Sequence, residues 1–224
     1  MATARALARE AMLEEIKAAA RRQLVEDGAA SISLRAIARE LGIVSSGIYR
    51  YVASRDDLLT ILIVDAYNDV GDVAEAAVRD KRGGVRAQWL RVTKAIRRWA
   101  IEHPHDYALI YGTPVPGYRA PEDTISPALR VSLVGLGLLG TADVVQDRGV
   151  TIPRSVRADL ARVRAFAPGA SDDLLSRALM AWTMLFGTIS YELYGHLHNV
   201  ITDYDAFFEL QMGRAADLLF DESR

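Results

Sequence analysis

Apolar residues recur along most of this chain at steps of three and four, the spacing that lines one face of an α-helix, and no alternating strand pattern runs for more than a few residues. Leu13, Ile16, Ala20 and Leu24 predict a first helix closed by Gly28. Leu34, Ile37, Ala38 and Leu41 predict a short second one, ended at Gly42, where glycine tolerates the left-handed conformation of a helix end. Ser45 and Ser46 then start a third, over Val44 to Val52. Ser54-Arg55-Asp56-Asp57 reads as a capping box opening a long helix towards Arg82, a natural lever between the elements before and after it. Beyond Gly83-Gly84, the series Trp89, Val92, Ile96, Trp99, His103 marks another helix, bounded by Pro104.

The second half is patterned differently. From Tyr107 to Pro121 three prolines and two glycines predict a loop rich in aromatics, with no long helix past Tyr111. Ser126 to Asp147 returns to helix, although Gly135, Gly137 and Gly140 each cost it about 1 kcal/mol relative to Ala. Such weak points let another backbone, or a ligand, come close. Arg154 to Arg164 is a short basic helix. Ser171 caps the most regular helix, in which Leu175, Leu179, Trp182, Phe186, Ile189, Leu193 and His196 alternate steps of four and three. After Asp203 a last helix carries Phe207, Leu210, Arg214 and Leu218 on one line, with Phe208, Met212, Ala215 and Leu219 beside it. Two such helices from each of two subunits make a four-helix dimer interface. The expected fold is all-α: a three-helix, helix-turn-helix domain over residues 1–55, then a helical ligand-binding and dimerisation domain over 56–224.

Charge sharpens the first of these. The chain as a whole carries −2, yet Ser33 to Arg55 holds Arg35, Arg39, Arg50 and Arg55 against the single acid Glu40. A local excess of this kind suits a polyanion, whose counterions it displaces. Tyr49, Tyr51, Ser33, Ser45 and Ser46 add hydroxyls able to bond phosphates. The chain has no cysteine, which removes disulfides, thiolate metal sites and cysteine nucleophiles. Its N-terminal stretch mixes charge with alanine and lacks the apolar core of a secretory signal. No uncharged run, Val131 to Ala142 included, reaches the roughly 20 residues a membrane helix needs. A cytoplasmic protein without membrane contact is expected.

The order Ser33, Ile37-Ala38, Leu41-Gly42, Gly47-Ile48-Tyr49-Arg50-Tyr51, then Arg55 before Leu58-Leu59, resembles the DNA-binding domain of the TetR (tetracycline-repressor) family over about the first quarter of the chain. The resemblance implies an all-helical homodimeric transcription factor, usually a repressor, released from a double-stranded DNA operator by a small-molecule effector in its C-terminal domain. It implies that Arg35, Ser45, Ser46 and Gly47 face bases, and that Ser33, Tyr49 and Arg55 hold phosphates, with Arg50 in the same DNA-binding set. Val44 stands where the family often has a polar cap, Val52 replaces a usual Phe, and Gly47 leaves a base-facing position without a side chain.

Other chemistries compete with this one. Gly135-Leu-Gly137-Leu-Leu-Gly140 matches a dinucleotide fingerprint with Asp159 behind it, but that motif needs a preceding strand where this chain reads as helix. The pairs His103/His105 and His196/His198 raise a metal-responsive regulator. Residues two apart on a helix diverge by about 200°, which sets His196 and His198 against sharing one ion if that helix continues, and leaves open a site made by one histidine from each pair. Trp99, His103, Tyr107, Tyr111, Trp182, Phe186 and Tyr191 together suit an apolar pocket with a few polar points, for an apolar or aromatic ligand. An enzyme acting on an apolar substrate in such a pocket is the alternative from another class. No catalytic motif supports it, Asp56-Asp57 and Asp172-Asp173 being at helix starts where acids meet the dipole. No cofactor and no metal are expected.

Overall fold

The computed structural model describes residues 3–140, 144–147 and 149–221, and they are organised as helices, with no strand among them beyond one isolated antiparallel bridge between Val144 and Phe220. The helices are α1 (Ala4–Asp27), α2 (Leu34–Glu40), α3 (Ser45–Ile48), α4 (Arg55–Val78), α5 (Gly84–Glu102), α6 (Pro104–Tyr111), α7 (Ile125–Leu139), α8 (Arg154–Arg164), α9 (Asp172–Leu193) and α10 (Tyr204–Leu219). They form two compact units, Met1–Tyr67 with His103–Pro127, and Asn68–Glu102 with Ala128–Arg224.

In the first unit the apolar stripes meet as their spacing requires. Ile16, Ala20 and Leu24 of α1, Leu34, Ile37 and Ala38 of α2, Ile48 and Val52 around α3, and Leu58, Leu59 and Leu62 of α4 form one buried core. Helices as short as α2 and α3 are not stable alone; the core they share with α1 and α4 is what holds them. Caps set their ends. Ser33 Oγ accepts from the Ala36 N–H at 3.4 Å, and Ser54 Oγ from the Asp57 N–H at 3.0 Å, while the Asp57 carboxylate reaches back to the Ala53 N–H at 2.9 Å. Leu109, Val115 and Tyr118, from α6 and the loop after it, pack on the same core, and the Tyr118 hydroxyl lies 2.9 Å from that of Thr60.

In the second unit α5, α9 and α10 pack on one another and α8 lies against α9. The Trp89 indole N–H donates to the Met212 carbonyl at 3.0 Å. Arg97 of α5 bonds both oxygens of Glu192 at 2.8 Å and Asp205 at 2.6 Å, with its guanidinium over the Phe208 ring. Phe208, Met212, Ala215 and Leu219 are buried, whereas Leu210 and Arg214 on the neighbouring line of α10 are exposed, as are Met180 and Tyr191 of α9 and Tyr194 just after it.

Several helix limits differ from those read in the sequence. The third helix is regular only over Ser45–Ile48, and Tyr49 to Tyr51 continue as turns, with the Arg50 and Tyr51 N–H groups bonded to carbonyls three residues back. Val44 offers no side-chain cap and Gly47 sits in the middle, so little favours a longer α-helix. The long helix after Ser54 stops at Val78. Tyr107 to Tyr111 are helical, because Pro104 begins a helix as well as ending one. α7 ends at Leu139 and does not reach Asp147; residues 141–143 of that span lie outside the described residues. α9 ends at Leu193 with Gly195 in the left-handed region, which leaves His196 off the helix.

Candidate functional site

The first candidate is the outer face of α2 and α3. Ile48 and Val52 are wholly buried, and this anchoring turns the intervening side chains outward. Ser45, Ser46, Tyr49 and Arg50 are exposed, and Gly47 and Tyr51 half-buried. Arg35 and Arg39 project from α2 into solvent. Glu40, the one acid of the stretch, is taken up by Arg22 of α1, whose Nη2 and Nε approach it at 2.5 and 2.9 Å. Arg35, Arg39 and Arg50 pair with no carboxylate among the described residues, so their charge stays available to a polyanion.

Ser33 and Arg55 are engaged within the protein. The Ser33 hydroxyl caps α2, and its own N–H donates to the Gln23 side-chain oxygen at 2.9 Å. Arg55 donates from Nη2 to the Ala29 and Ala30 carbonyls at 3.0 and 3.1 Å, and from Nη1 to Asp56 at 3.3 Å. Those bonds close the turn between α1 and α2 onto the start of α4. Gln23 and Arg22 carried no motif in the sequence; the only available signal was their position on the polar side of the α1 stripe.

The second candidate is a cavity of about 260 Å³ in the second unit, lined among others by Trp89 of α5, Leu136 and Leu139 of α7, Val163 of α8, and Leu175 and Trp182 of α9. Its polar points are Ser132 and Arg162, the latter ion-paired to Asp159 at 2.5 Å. Small residues make the room. Gly135, the first glycine of the weak α7 run, is part of the lining, where a Cβ would sit 3.8 Å from Trp182 and take up part of the space, while Gly137 faces no neighbour within 4 Å.

Of the seven residues expected to form an apolar pocket, Trp182 lines this cavity, and the Phe186 ring packs against it, tilted by 57°, at 4.8 Å between ring centroids. Trp99 is buried. Tyr107 and Tyr111 belong to the first unit, where their rings pack 5.2 Å apart and Tyr67 meets Tyr111 edge-on at 6.1 Å. Burial, with Tyr67 and Tyr107 alongside, pushes the Tyr111 hydroxyl well above the usual phenol range. His103 precedes α6 and is exposed, and Tyr191 is exposed with His196 against its ring. No group of three or more His, Asp or Glu among the described residues is placed to hold a metal ion. Nor does any helix among them have the length and apolarity to cross a membrane.

Comparison with known proteins bears on both candidates. Residues 16–60 match the family model described as "Bacterial regulatory proteins, tetR family", and residues 89–215 match "Tetracyclin repressor-like, C-terminal domain". The chain is 39% identical over 216 residues to the HTH-type transcriptional regulator Rv1816 of Mycobacterium tuberculosis (strain ATCC 25618 / H37Rv), covering 91% of this chain and 90% of that one. Mb1846 of Mycobacterium bovis (strain ATCC BAA-935 / AF2122/97), also an HTH-type transcriptional regulator, matches to the same extent. Among solved structures, SCO4313 is 34% identical with a TM-score of 0.79, covering 95% of this chain and 98% of its own. A TetR family transcription regulator from Marinobacter aquaeolei VT8 has the fold at 16% identity, with a TM-score of 0.61 and coverage of 94% and 96%.

Proposed function

Since this chain belongs to the TetR family of DNA-binding transcriptional regulators, we propose that it acts as a homodimeric repressor, released from its operator by an apolar or aromatic small molecule held in the cavity of the second unit. The observation that carries the reading is the cavity itself: two tryptophans and a majority of aliphatic side chains around enough space for a small ligand, in a chain whose other unit presents arginines that pair with no carboxylate among the described residues.

In this reading residues 1–55 are the DNA-binding domain. Arg35, Ser45, Ser46 and Gly47 face base edges in a major groove, and Arg50 and Tyr49 meet phosphates. Ser33 and Arg55 shape the head through the bonds described above, and any phosphate contact they make comes second to that. Residues 56–224 hold the effector and the partner subunit. The exposed apolar side chains Met180 and Tyr191 of α9 and Leu210 of α10, with Tyr194 at the end of α9, belong to helices that already pack on each other, and they support pairing of two copies as a four-helix seam. A two-fold dimer then reads a palindromic site with half-sites about one helical turn, or a little more, apart.

The test takes the purified protein, a duplex selected by it from a randomised library, and a panel of apolar and aromatic compounds. A compound that raises the melting temperature is expected to weaken duplex binding at the same concentration. Stabilisation of the protein by such compounds with operator affinity unmoved would refute release, and failure of every apolar compound to shift melting would count against the cavity as effector site.

A further inference from the structure

Arg130 of α7 lies between Leu129 and Ser132, both at the cavity, but it is not itself among the lining residues. Its guanidinium spans α4 instead. Nε and Nη2 donate to the two oxygens of Glu75 at 2.8 and 2.9 Å, Nη1 donates to the backbone and side-chain oxygens of Asn68 at 3.1 and 3.0 Å, and Nη2 also bonds Asp72. Together these partners cover about two turns of one helix. A fork bonded on both edges fixes direction as well as charge, which a flexible lysine would not.

α4 is shaped to receive it. Gly71 lies under the guanidinium, and a Cβ there would fall 2.9 Å from Arg130 Nε, 3.0 Å from Cζ and 3.1 Å from Cβ. Glycine is unfavourable inside a helix, so its presence midway along α4 is matched by the close approach it permits. The donor set and the missing Cβ are separate observations, and both point to a built contact. α4 is one uninterrupted helix, with Asn68 to Val78 in the second unit and Arg55 to Tyr67 in the unit that holds the DNA-binding face.

We propose that Arg130, seated in the Gly71 notch, is the positioning residue that ties the cavity wall to α4, so that movement of α7 is delivered to the helix that runs on into the DNA-binding head. The proposal rests on the ligand-release reading for its purpose, and its test needs no effector. With the tie cut, α4 is no longer held in one setting, and operator affinity falls although no DNA-facing residue has changed.

The experiment measures the dissociation constant for the selected duplex across a salt series, together with melting temperature, for the full chain and three variants. Arg130→Gln and Gly71→Ala are expected to weaken operator binding by about fivefold or more, the lower end of coupling between distant sites, with the salt slope unchanged because no phosphate contact is lost. Arg164→Gln is the control: it breaks an ion pair to Asp172 in the same unit without touching α4, and is expected to lower melting while leaving the constant unchanged. Wild-type affinity in Arg130→Gln overturns the proposal, as does an equal loss in Arg164→Gln. If Arg130→Gln does not fold, Gly71→Ala keeps every charge and decides the matter by the same criterion. Either negative result strikes the tie alone, because the compound panel tests the ligand reading independently.

Discussion

Arg50 and Arg55 lie five residues apart in the same basic stretch, yet the structure gives them opposite consequences on substitution. Arg55 is about two-thirds buried and donates to the Ala29 and Ala30 carbonyls and to Asp56. Hydrogen bonds from a charged donor contribute about 1.5–3 kcal/mol each at best. The ion pair to exposed Asp56 adds little. Glutamine can keep one carbonyl bond, so Arg55→Gln is expected to cost about 2 kcal/mol, or roughly 4–8 °C in melting temperature for a chain of this size. Arg50 is exposed and makes no internal ion pair among the described residues. Arg50→Gln is therefore expected to leave melting unchanged and to remove one phosphate contact. The slope of log affinity against log salt then falls by about 0.9, which makes the loss over a fourfold rise in salt about 3.5 times smaller. Thermal unfolding and fluorescence anisotropy on the selected duplex, from about 50 to 200 mM salt, read the two effects separately. Unchanged melting in Arg55→Gln would refute the assignment of that residue to the frame, and an unchanged slope in Arg50→Gln would refute its place on DNA.

Three further outcomes are expected. Arg35→Ala should reduce discrimination at one base pair by roughly 1–3 kcal/mol, read by competition with singly substituted duplexes; an unaltered base preference refutes the major-groove role. Met180→Asp puts a charge on the exposed apolar side of α9 and should yield a folded monomer in sedimentation with weakened operator binding, whereas a persistent dimer would move the seam elsewhere. Glu75, hydrogen-bonded by Arg130, is held below its ordinary value of 4.5. A carboxylate lowered in the folded state stabilises above its unfolded value and loses that contribution as pH falls through the folded one. The stability gap between the wild type and Glu75→Gln should thus be full at neutral pH and shrink below about pH 4.5 in urea melts; a gap that persists at about pH 3 removes the charged pair as its cause.

The sequence made the head legible because three signals there agree. The period of Leu34, Ile37, Ala38 and Leu41, the serine caps and the glycine turn each act over a few residues, and all are realised in α2 and the start of α4. The third helix is shorter than its hydrophobic spacing suggests. Ile48 and Val52 are buried as that spacing requires, but burial constrains where two side chains point, and a tight turn meets the constraint as well as an α-helical one. Periodicity also could not tell the inner line of α10 from the outer. Phe208 and Phe207 are adjacent, and which of them faces α5 and α9 depends on where those helices lie.

Of the aromatic residues read as a pocket, only Trp182 lines the cavity, for a related reason. An aromatic at helical spacing is large and tends to be buried, which makes it a filler of space first: Tyr107 fills the first unit's interior, and Trp99 is buried away from the cavity lining. Space is left by side chains that are absent. The useful signal was therefore the glycine run of α7, at Gly135 but not Gly137, together with Ala178 on the facing helix. Gly71 extends the same logic to α4, where a missing Cβ makes room for a guanidinium in place of a ligand. A glycine inside a helix is a local loss that no local interaction repays, so its explanation has to be sought in whatever comes across from another element. In this chain the two glycines so explained lie on either side of one connection, Gly135 on the cavity wall and Gly71 beneath the arginine that leaves that wall.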